Sequence, residues 1–163
     1  MANHIHEPTI GEAAYRVLLP SEVTELEELI KDKVRVTIVT PERAVLDAVC
    51  EMAILPLYDG ELGVLAGRAP FVGQLGPGEL RLKTGEASAR FFVDGGFAQV
   101  RDNVVNVLTQ KAIPAKDVTL EKAQAARAEA EAIAGTDEVS RTNRAKALDR
   151  ARGMAKVAAK NPT

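Results

Sequence analysis

The chain has 163 residues and a formal net charge of −2, and 46% of its residues are hydrophobic while 27% are charged. This length fits one domain, or one compact domain with an appendage, and the composition is typical of a soluble globular protein. The slightly negative charge argues against a nucleic-acid binder, because phosphate contacts need a basic surface. No apolar run approaches the roughly 20 residues that a membrane-spanning helix needs.

Residues 1–33 are predicted to form an N-terminal extension that is partly helical. A helix is expected to start at Pro20-Ser21, because serine accepts backbone N–H bonds at a helix start. Val23, Leu26 and Ile30 then recur on one helical face. The extension is acidic and has no apolar core, so it resembles neither a signal peptide nor a transit peptide. His4 and His6 lack the further ligands that a metal site needs.

Residues 34–114 are predicted to form an all-β sandwich. Val34, Val36 and Ile38 alternate with polar residues, as in a half-buried strand. Residues 48–55 predict the next strand, with Cys50, Met52 and Ile54 on one face. Turn signals every eight to twelve residues or so are typical of antiparallel β-structure. They occur at Asp59-Gly60, Gly76-Pro77-Gly78, Thr84-Gly85, Asp94-Gly95-Gly96 and Asp102-Asn103.

Residues 117–160 are predicted to form a C-terminal α-helical hairpin. Alanine dominates this segment, and apolar residues recur at three- and four-residue spacing. Gly135 is expected to end the first helix and Thr136 to cap the second. Because few large apolar residues are available, we expect the hairpin to dock weakly on the sandwich.

The sequence offers no recognisable catalytic machinery. Both histidines lie in the N-terminal extension, so a nucleophile in the folded segments has no histidine base beside it. Gly60, Gly63 and Gly67 do not have the spacing of a dinucleotide or phosphate loop and are interpreted as turn residues. The single cysteine, Cys50, has apolar neighbours and is interpreted as a buried hydrophobic residue. We therefore expect a non-enzymatic protein without catalytic residues, a cofactor or a metal.

Several motifs in this order resemble one known family. They are D-G-E-L-G-V-L at residues 59–65, A-P at 69–70 and F-V-D-G-G-F at 92–97. Each motif alone is weak, but together they are specific. Over about residues 34–160 the chain is similar to the epsilon subunit of F-type ATP synthases.

The resemblance implies a β-sandwich followed by a helical hairpin, and a non-catalytic role in the rotor. It implies that one face of the sandwich binds the gamma subunit and that loops at its base contact the membrane c-ring. The matching interface residues are Asp59, Glu61 and Arg68. The resemblance also implies a peripheral protein at the cytoplasmic face of the bacterial inner membrane, attached only through its complex.

The second C-terminal helix matches the family's inhibitory helix, which implies a regulatory contact with an acidic segment of the catalytic beta subunit. The basic residues that would make this contact are Arg141, Arg144, Lys146, Arg150, Arg152 and Lys156. When the hairpin extends along gamma, this contact would inhibit ATP hydrolysis.

The chain departs from the family pattern at three places. Arg68 stands where the family usually has histidine, and residues 1–33 lie outside the pattern. Some bacterial members bind ATP through an acidic residue and an arginine at the start of the first C-terminal helix. Thr119 and Lys122 occupy those positions here, so we expect no useful ATP affinity.

Two other classes of protein compete with the rotor subunit. A stand-alone ligand-binding sandwich with a helical interaction tail is the main alternative. Such a protein would normally present exposed aromatic residues, yet the chain has no Trp, two Tyr and four Phe. An enzyme is the third class, and the missing histidine base weakens it.

Overall fold

The computed structural model describes residues 19–162, which form a β-sandwich followed by two antiparallel helices. The α-helices are α1 (Pro20–Ile30), α2 (Leu120–Glu131) and α3 (Glu138–Ala159), and a 3-10 turn spans Ala115–Asp117. The strands are β1 (Val34–Val39), β2 (Ala44–Cys50), β3 (Met52–Leu57), β4 (Gly60–Leu65), β5 (Phe71–Thr84), β6 (Ala87–Arg101), β7 (Val104–Leu108) and β8 (Ala112–Pro114).

Helix α1 begins one residue before the predicted cap. Pro20 takes the first helical position, where its missing N–H costs nothing, so Leu19 and not Ser21 precedes the helix. The N–H of Leu19 donates to the Glu22 carboxylate at 2.8 Å. None of the residues of α1 is buried. His4 and His6 lie outside the described residues.

The strands follow the order β2-β1-β7-β6-β5-β3-β4, and β8 pairs with β6. Strands β1 and β7 run parallel, and the other pairs are antiparallel. Strands β5 and β6 have 14 and 15 residues, so they extend through both layers of the sandwich. The first layer contains β2, β1, β7 and residues 71–75 and 97–101. The second layer contains β4, β3, β8 and residues 77–84 and 87–94.

Two of the predicted turns are bends inside long strands. Gly76-Pro77-Gly78 lies within β5 and Asp94-Gly95-Gly96 lies within β6, and the pairing register continues across both. Gly96 has a φ of +106°, and a β carbon there would overlap the Leu108 carbonyl oxygen. The turn prediction was wrong here because glycine and proline also mark places where a continuous strand bends between layers.

The predicted strand over residues 48–55 is also wrong, because the chain turns at Glu51. The Glu51 N–H donates to the Lys83 carbonyl at 2.9 Å, between the end of β2 and the start of β3. Residues 53–56 are then buried without alternation. Cys50 is 1% exposed in the core, as its apolar neighbours predict.

The remaining turn signals mark real hairpins. Gly85 lies in the turn between β5 and β6, and Tyr58-Asp59 forms the turn between β3 and β4. Asp102 and Asn103 form the two-residue turn between β6 and β7, with φ values of 50° and 62°. Positive φ at both positions matches the twist of the flanking strands.

The main core lies between the two layers. Val34, Val36 and Ile38 of β1 pack in one cluster with Leu55 of β3 and Leu80 of β5. A second cluster joins the outer face of the second layer to the helices and contains Phe92, Ala115, Val118, Ala123, Met154 and Val157. The structure confirms the predicted fold class of an all-β sandwich plus a C-terminal helical hairpin.

The hairpin loop differs in detail from the sequence prediction. Helix α2 ends at Glu131, before Gly135, whose φ is +122°. Asp137 and not Thr136 caps α3, because its carboxylate accepts the Ser140 N–H at 3.1 Å. Thr119 caps α2 by accepting the Lys122 N–H at 3.2 Å. The domain bounds 34–114 and 117–160 remain a proposal.

Candidate functional site

The three predicted interface residues do not share one loop. Asp59 lies in the turn before β4 and Glu61 at its start, whereas Arg68 follows its other end. A six-residue strand spans about 20 Å at 3.3 Å per residue. Residues 59–68 are therefore a turn, a strand and a second turn, and they present the acidic and basic side chains at opposite ends of the sandwich.

Glu61 already has a partner within the sandwich. Its Oε2 accepts a hydrogen bond from Arg81 Nη2 at 2.8 Å, and its side chain stays 56% exposed. Asp59 is exposed beside it. This end of the molecule thus presents two exposed carboxylates, and Arg81 holds that of Glu61 in place.

The Arg68 turn is fixed to the neighbouring β6–β7 turn. The Gly67 N–H donates to Asn103 Oδ1 at 2.8 Å, and the Arg68 N–H donates to the Leu65 carbonyl at 3.3 Å. The Arg68 side chain itself is exposed. Arg68 therefore presents its positive charge from an ordered turn at the end where β1 begins.

The outer face of the first layer carries an exposed apolar row across three strands. Val39, Leu108 and Phe97 lie opposite one another on β1, β7 and β6. Leu108 and Phe97 are each 58% exposed. Val72 of β5 extends the patch beside Phe97. A contiguous apolar surface of this kind is typical of a protein–protein contact.

The outer face of the second layer is covered by α3. A β carbon on Gly153 would lie 2.6 Å from the Pro77 carbonyl oxygen, so the helix backbone contacts the strand closely. Met154 and Val157 pack beside it against Phe92. The residues of α3 that contact the sandwich thus recur at three- and four-residue spacing, as helix geometry requires.

The predicted basic residues of α3 differ in their contacts when the helix is docked. Arg150 turns toward the sandwich, and its Nε donates to Asp94 at 2.7 Å. Arg152 pairs with Asp149 on the helix itself at 3.0 Å. The other members of the set are exposed on α3: Arg141, Arg144, Lys146 and Lys156.

A buried carboxylate joins the helix to the sandwich, and the sequence analysis did not identify it. Arg90 donates from Nε and Nη2 to Glu79 Oε2 at 3.1 and 2.6 Å. Lys160, just after α3, reaches Glu79 Oε1 at 3.4 Å. Burial opposes ionisation of Glu79, but the hydrogen bond and charge of Arg90, aided by Lys160, outweigh it and lower its pKa.

Asn161 extends this cluster to the start of the hairpin. Its Nδ2 donates to the carbonyls of Ala115 and Val118 at 2.6 and 3.1 Å, and its Oδ1 accepts from Arg90 Nη1 at 3.1 Å. Polar contacts therefore join the alanine contacts in docking the hairpin, and the expectation that docking is weak stays a prediction. Glu79 stands beside Leu80 between two predicted turns, and a charged residue there was the signal in the sequence that could have revealed it.

The two residues at the positions of the family's ATP motif, Thr119 and Lys122, make contacts that stabilise the start of α2. The Thr119 side chain caps α2, and Lys122 Nζ donates to the Asp117 carbonyl at 2.8 Å. In residues 19–162, no group of three or more His, Cys, Asp or Glu side chains is placed to hold a metal ion. None of the helices in that range is long and apolar enough to cross a membrane.

Burial of Cys50 in the core raises the pKa of its thiol. The thiolate is the nucleophilic form of cysteine, and an apolar core disfavours it. This environment suits a packing role for Cys50.

Comparison with known proteins gives a consistent result. Residues 33–115 match the family model described as the beta-sandwich domain of the ATP synthase delta/epsilon chain. The ATP synthase epsilon chain of Rhodopirellula baltica is 49% identical over 124 residues, which cover 74% of this chain and 94% of that protein. The epsilon chain of Syntrophobacter fumaroxidans is 37% identical over 131 residues, covering 79% of this chain and 98% of that protein.

Solved structures agree with the sequence comparisons. A chain of the Euglena gracilis mitochondrial ATP synthase, from a cryo-EM structure of its OSCP/F1/c-ring, has a TM-score of 0.67 and 30% identity. The match covers 76% of this chain and 80% of that one. A chain from the central stalk/c-ring structure of the Tetrahymena thermophila enzyme shares the fold, with a TM-score of 0.61, 19% identity and coverage of 77% and 96%. The protein therefore belongs to the ATP synthase epsilon chain family.

Proposed function

We propose that this chain is the non-catalytic rotor subunit that connects the gamma subunit to the c-ring of an F-type ATP synthase. The observation that carries the proposal is the 49% identity to an epsilon chain over almost all of that relative's length. The Euglena chain that it resembles belongs to an assembly containing F1 and the c-ring. The subunit would then lie peripherally at the cytoplasmic face of a bacterial inner membrane.

The gamma subunit is assigned to the outer face of the first layer. The opposite face of the sandwich is occupied by α3, so it is not free while the hairpin is docked. The free face carries the row of Val39, Leu108 and Phe97, whose burial against a helix of gamma would be favourable. This assignment uses an exposed apolar row that spans three adjacent strands.

The c-ring is assigned to the end of the sandwich that carries Asp59 and Glu61. The exposed carboxylates of Asp59 and Glu61 suit the basic polar loops expected on a c-ring, although each exposed ion pair contributes only about 0–1 kcal/mol. Arg68 lies at the other end of β4, near the start of β1, and is outside this contact. The two partners thus contact different surfaces of one rigid sandwich, which lets the subunit transmit torque without chemistry of its own.

Inhibition of ATP hydrolysis is assigned to α3 in an extended state of the hairpin. Its exposed residues Arg141, Arg144 and Lys146 can reach an acidic segment of beta without first leaving a partner on the sandwich. Arg150 has to leave Asp94 before it can contribute. Several charge pairs at a partly desolvated interface together stabilise such a contact by about a few kcal/mol.

Co-purification tests the proposal. The tagged chain, expressed in a host that lacks its own epsilon subunit, should be recovered from solubilised membranes with gamma, beta and c subunits. A tagged chain that lacks residues 34–114 serves as the control and should recover none of them. Recovery of the intact chain without these subunits would favour a stand-alone binding module instead.

A further inference from the structure

We propose that Glu79, Arg90, Lys160 and Asn161 form a releasable latch that sets how firmly the hairpin docks on the sandwich. The four residues come from β5, β6 and the segment that follows α3. Docking itself is a property of the free chain and can be measured without the complex. Only the regulatory consequence rests on the proposed function.

The position of Glu79 makes it the centre of the latch. It is 8% exposed and lies on the outer face of β5, beneath the end of α3. One carboxylate oxygen accepts both hydrogen bonds from Arg90 on the adjacent strand, and the other faces Lys160. Oε1 also lies 3.5 Å from Arg81 Nε on the same strand, so Lys160 is the one cation from the end of the hairpin among the three that pair with Glu79.

Arg90 and Asn161 connect the sheet to both helices of the hairpin. Arg90 Nη2 lies 3.3 Å from the Val157 carbonyl, at the last turn of α3. Asn161 accepts from Arg90 and donates to Ala115 and Val118, which precede α2. Loss of this cluster would free the end of α3 and the start of α2 together.

The chemistry of the latch favours reversible docking. A buried ion pair contributes little net stability, because its groups regain water when they separate. Removing one partner is costly, since it leaves an unpaired charge in a buried place. Replacing both partners by apolar residues of similar volume is often neutral or stabilising. The cluster therefore specifies the docked position while keeping release less costly than separation of an apolar contact of equal size.

A second ion pair lies at the other end of the docked face. Arg150 and Lys160 are ten residues apart, or about 15 Å along a helix. Arg150 pairs with Asp94, whose side chain is 14% exposed. When the latch opens, both cations become available to an acidic partner, so the sandwich and that partner compete for the same side chains.

Amide hydrogen exchange of the full-length chain tests the latch. In Glu79→Gln, amides 151–157 of α3 should exchange about tenfold or more faster, because a charged hydrogen-bond acceptor is lost. Amides of β7 should keep their protection. Glu79→Leu combined with Arg90→Met should keep or increase the protection of α3. Asp47→Asn, which breaks the exposed Arg35–Asp47 pair, is the matched control and should leave α3 unchanged.

Unchanged exchange of α3 in Glu79→Gln would overturn the proposal. If that variant fails to fold, Asn161→Ala tests the latch instead. Asn161 lies outside the sheet, and its replacement removes the hydrogen bonds to Ala115 and Val118. It should also accelerate exchange of amides 151–157 about tenfold, and equal rates would refute the latch. Assembly with gamma is measured separately, so failure of the rotor proposal is distinguishable from failure of the latch.

Discussion

Gly153 of α3 faces the carbonyl of Pro77 so closely that a β carbon would lie 2.6 Å from the oxygen. Glycine in a helix interior lowers helix stability by up to about 1 kcal/mol relative to alanine. Here that cost permits close contact between the helix backbone and the bend of β5. The docked state and the intrinsic stability of α3 therefore impose opposite preferences on this position.

Gly153→Ala is expected to weaken docking while strengthening the isolated helix. Overpacking against a backbone atom costs about 1–3 kcal/mol, which exceeds the gain in helix propensity. Limited trypsin digestion should cleave α3 faster in this variant. Gly85→Ala controls for backbone strain away from the hairpin, since its β carbon would meet no atom within 4 Å and its positive φ strains only a distant turn. Slower cleavage than in the native chain would contradict the prediction.

Glu61→Lys is expected to reduce coupling more than Glu61→Gln. The lysine would place like charges beside both Arg81 and the basic c-ring loops, whereas glutamine only removes a weak pair. The measurement is ATP-driven proton pumping per ATP hydrolysed in reconstituted enzyme. Equal pumping in both variants and in the native enzyme would show that the Asp59 and Glu61 end does not contact the c-ring.

Phe97→Glu is expected to weaken binding to gamma. A charge in the centre of an apolar interface should cost about 1–3 kcal/mol, or roughly tenfold to hundredfold in Kd. Val139→Glu, a change at another exposed residue, should leave the affinity within about twofold. Titration of isolated gamma with each variant measures both values. If Phe97→Glu bound gamma with the same Kd as the native chain, gamma would have to bind another face of the sandwich.

The chain is expected not to bind ATP with useful affinity. Thr119 and Lys122 are engaged at the start of α2, and no arginine fork stands there to pair with phosphate. Lys122 offers only a point charge, which permits weak attraction. Isothermal titration of the free chain should give no micromolar binding. A micromolar Kd would show that the ligand uses other residues.

Removal of residues 116–163 is expected to raise the ATPase activity of the assembled complex and leave assembly intact. Joint replacement of Arg141, Arg144 and Lys146 by alanine should reproduce part of that rise, and added salt should act in the same direction. Arg150→Ala is kept separate, because it removes a basic residue and also breaks the pair with Asp94 that helps to dock the hairpin. If the truncated complex hydrolyses ATP no faster than the intact one, the hairpin does not inhibit this enzyme.

The sequence by itself determined the elements whose signals are local. Alternation in β1 follows from one face meeting the core, and Val34, Val36 and Ile38 are all buried. The alanine-rich segment forms helices because its residues favour that conformation and lack glycine or proline except at the loop and Gly153. The family motifs were equally visible, since they depend on residue order alone.

Only the tertiary structure decided features that depend on distant contacts. Gly76 and Gly95 are locally indistinguishable from turn residues, and the pairing of β5 with β6 makes them bends. Asp59 and Arg68 are close in the chain, yet an extended strand carries them to opposite ends. Glu79 meets Lys160 across 81 residues, and no local preference encodes such a pairing. It forms because α3 packs on the outer face of β5, where a buried carboxylate must find a cation.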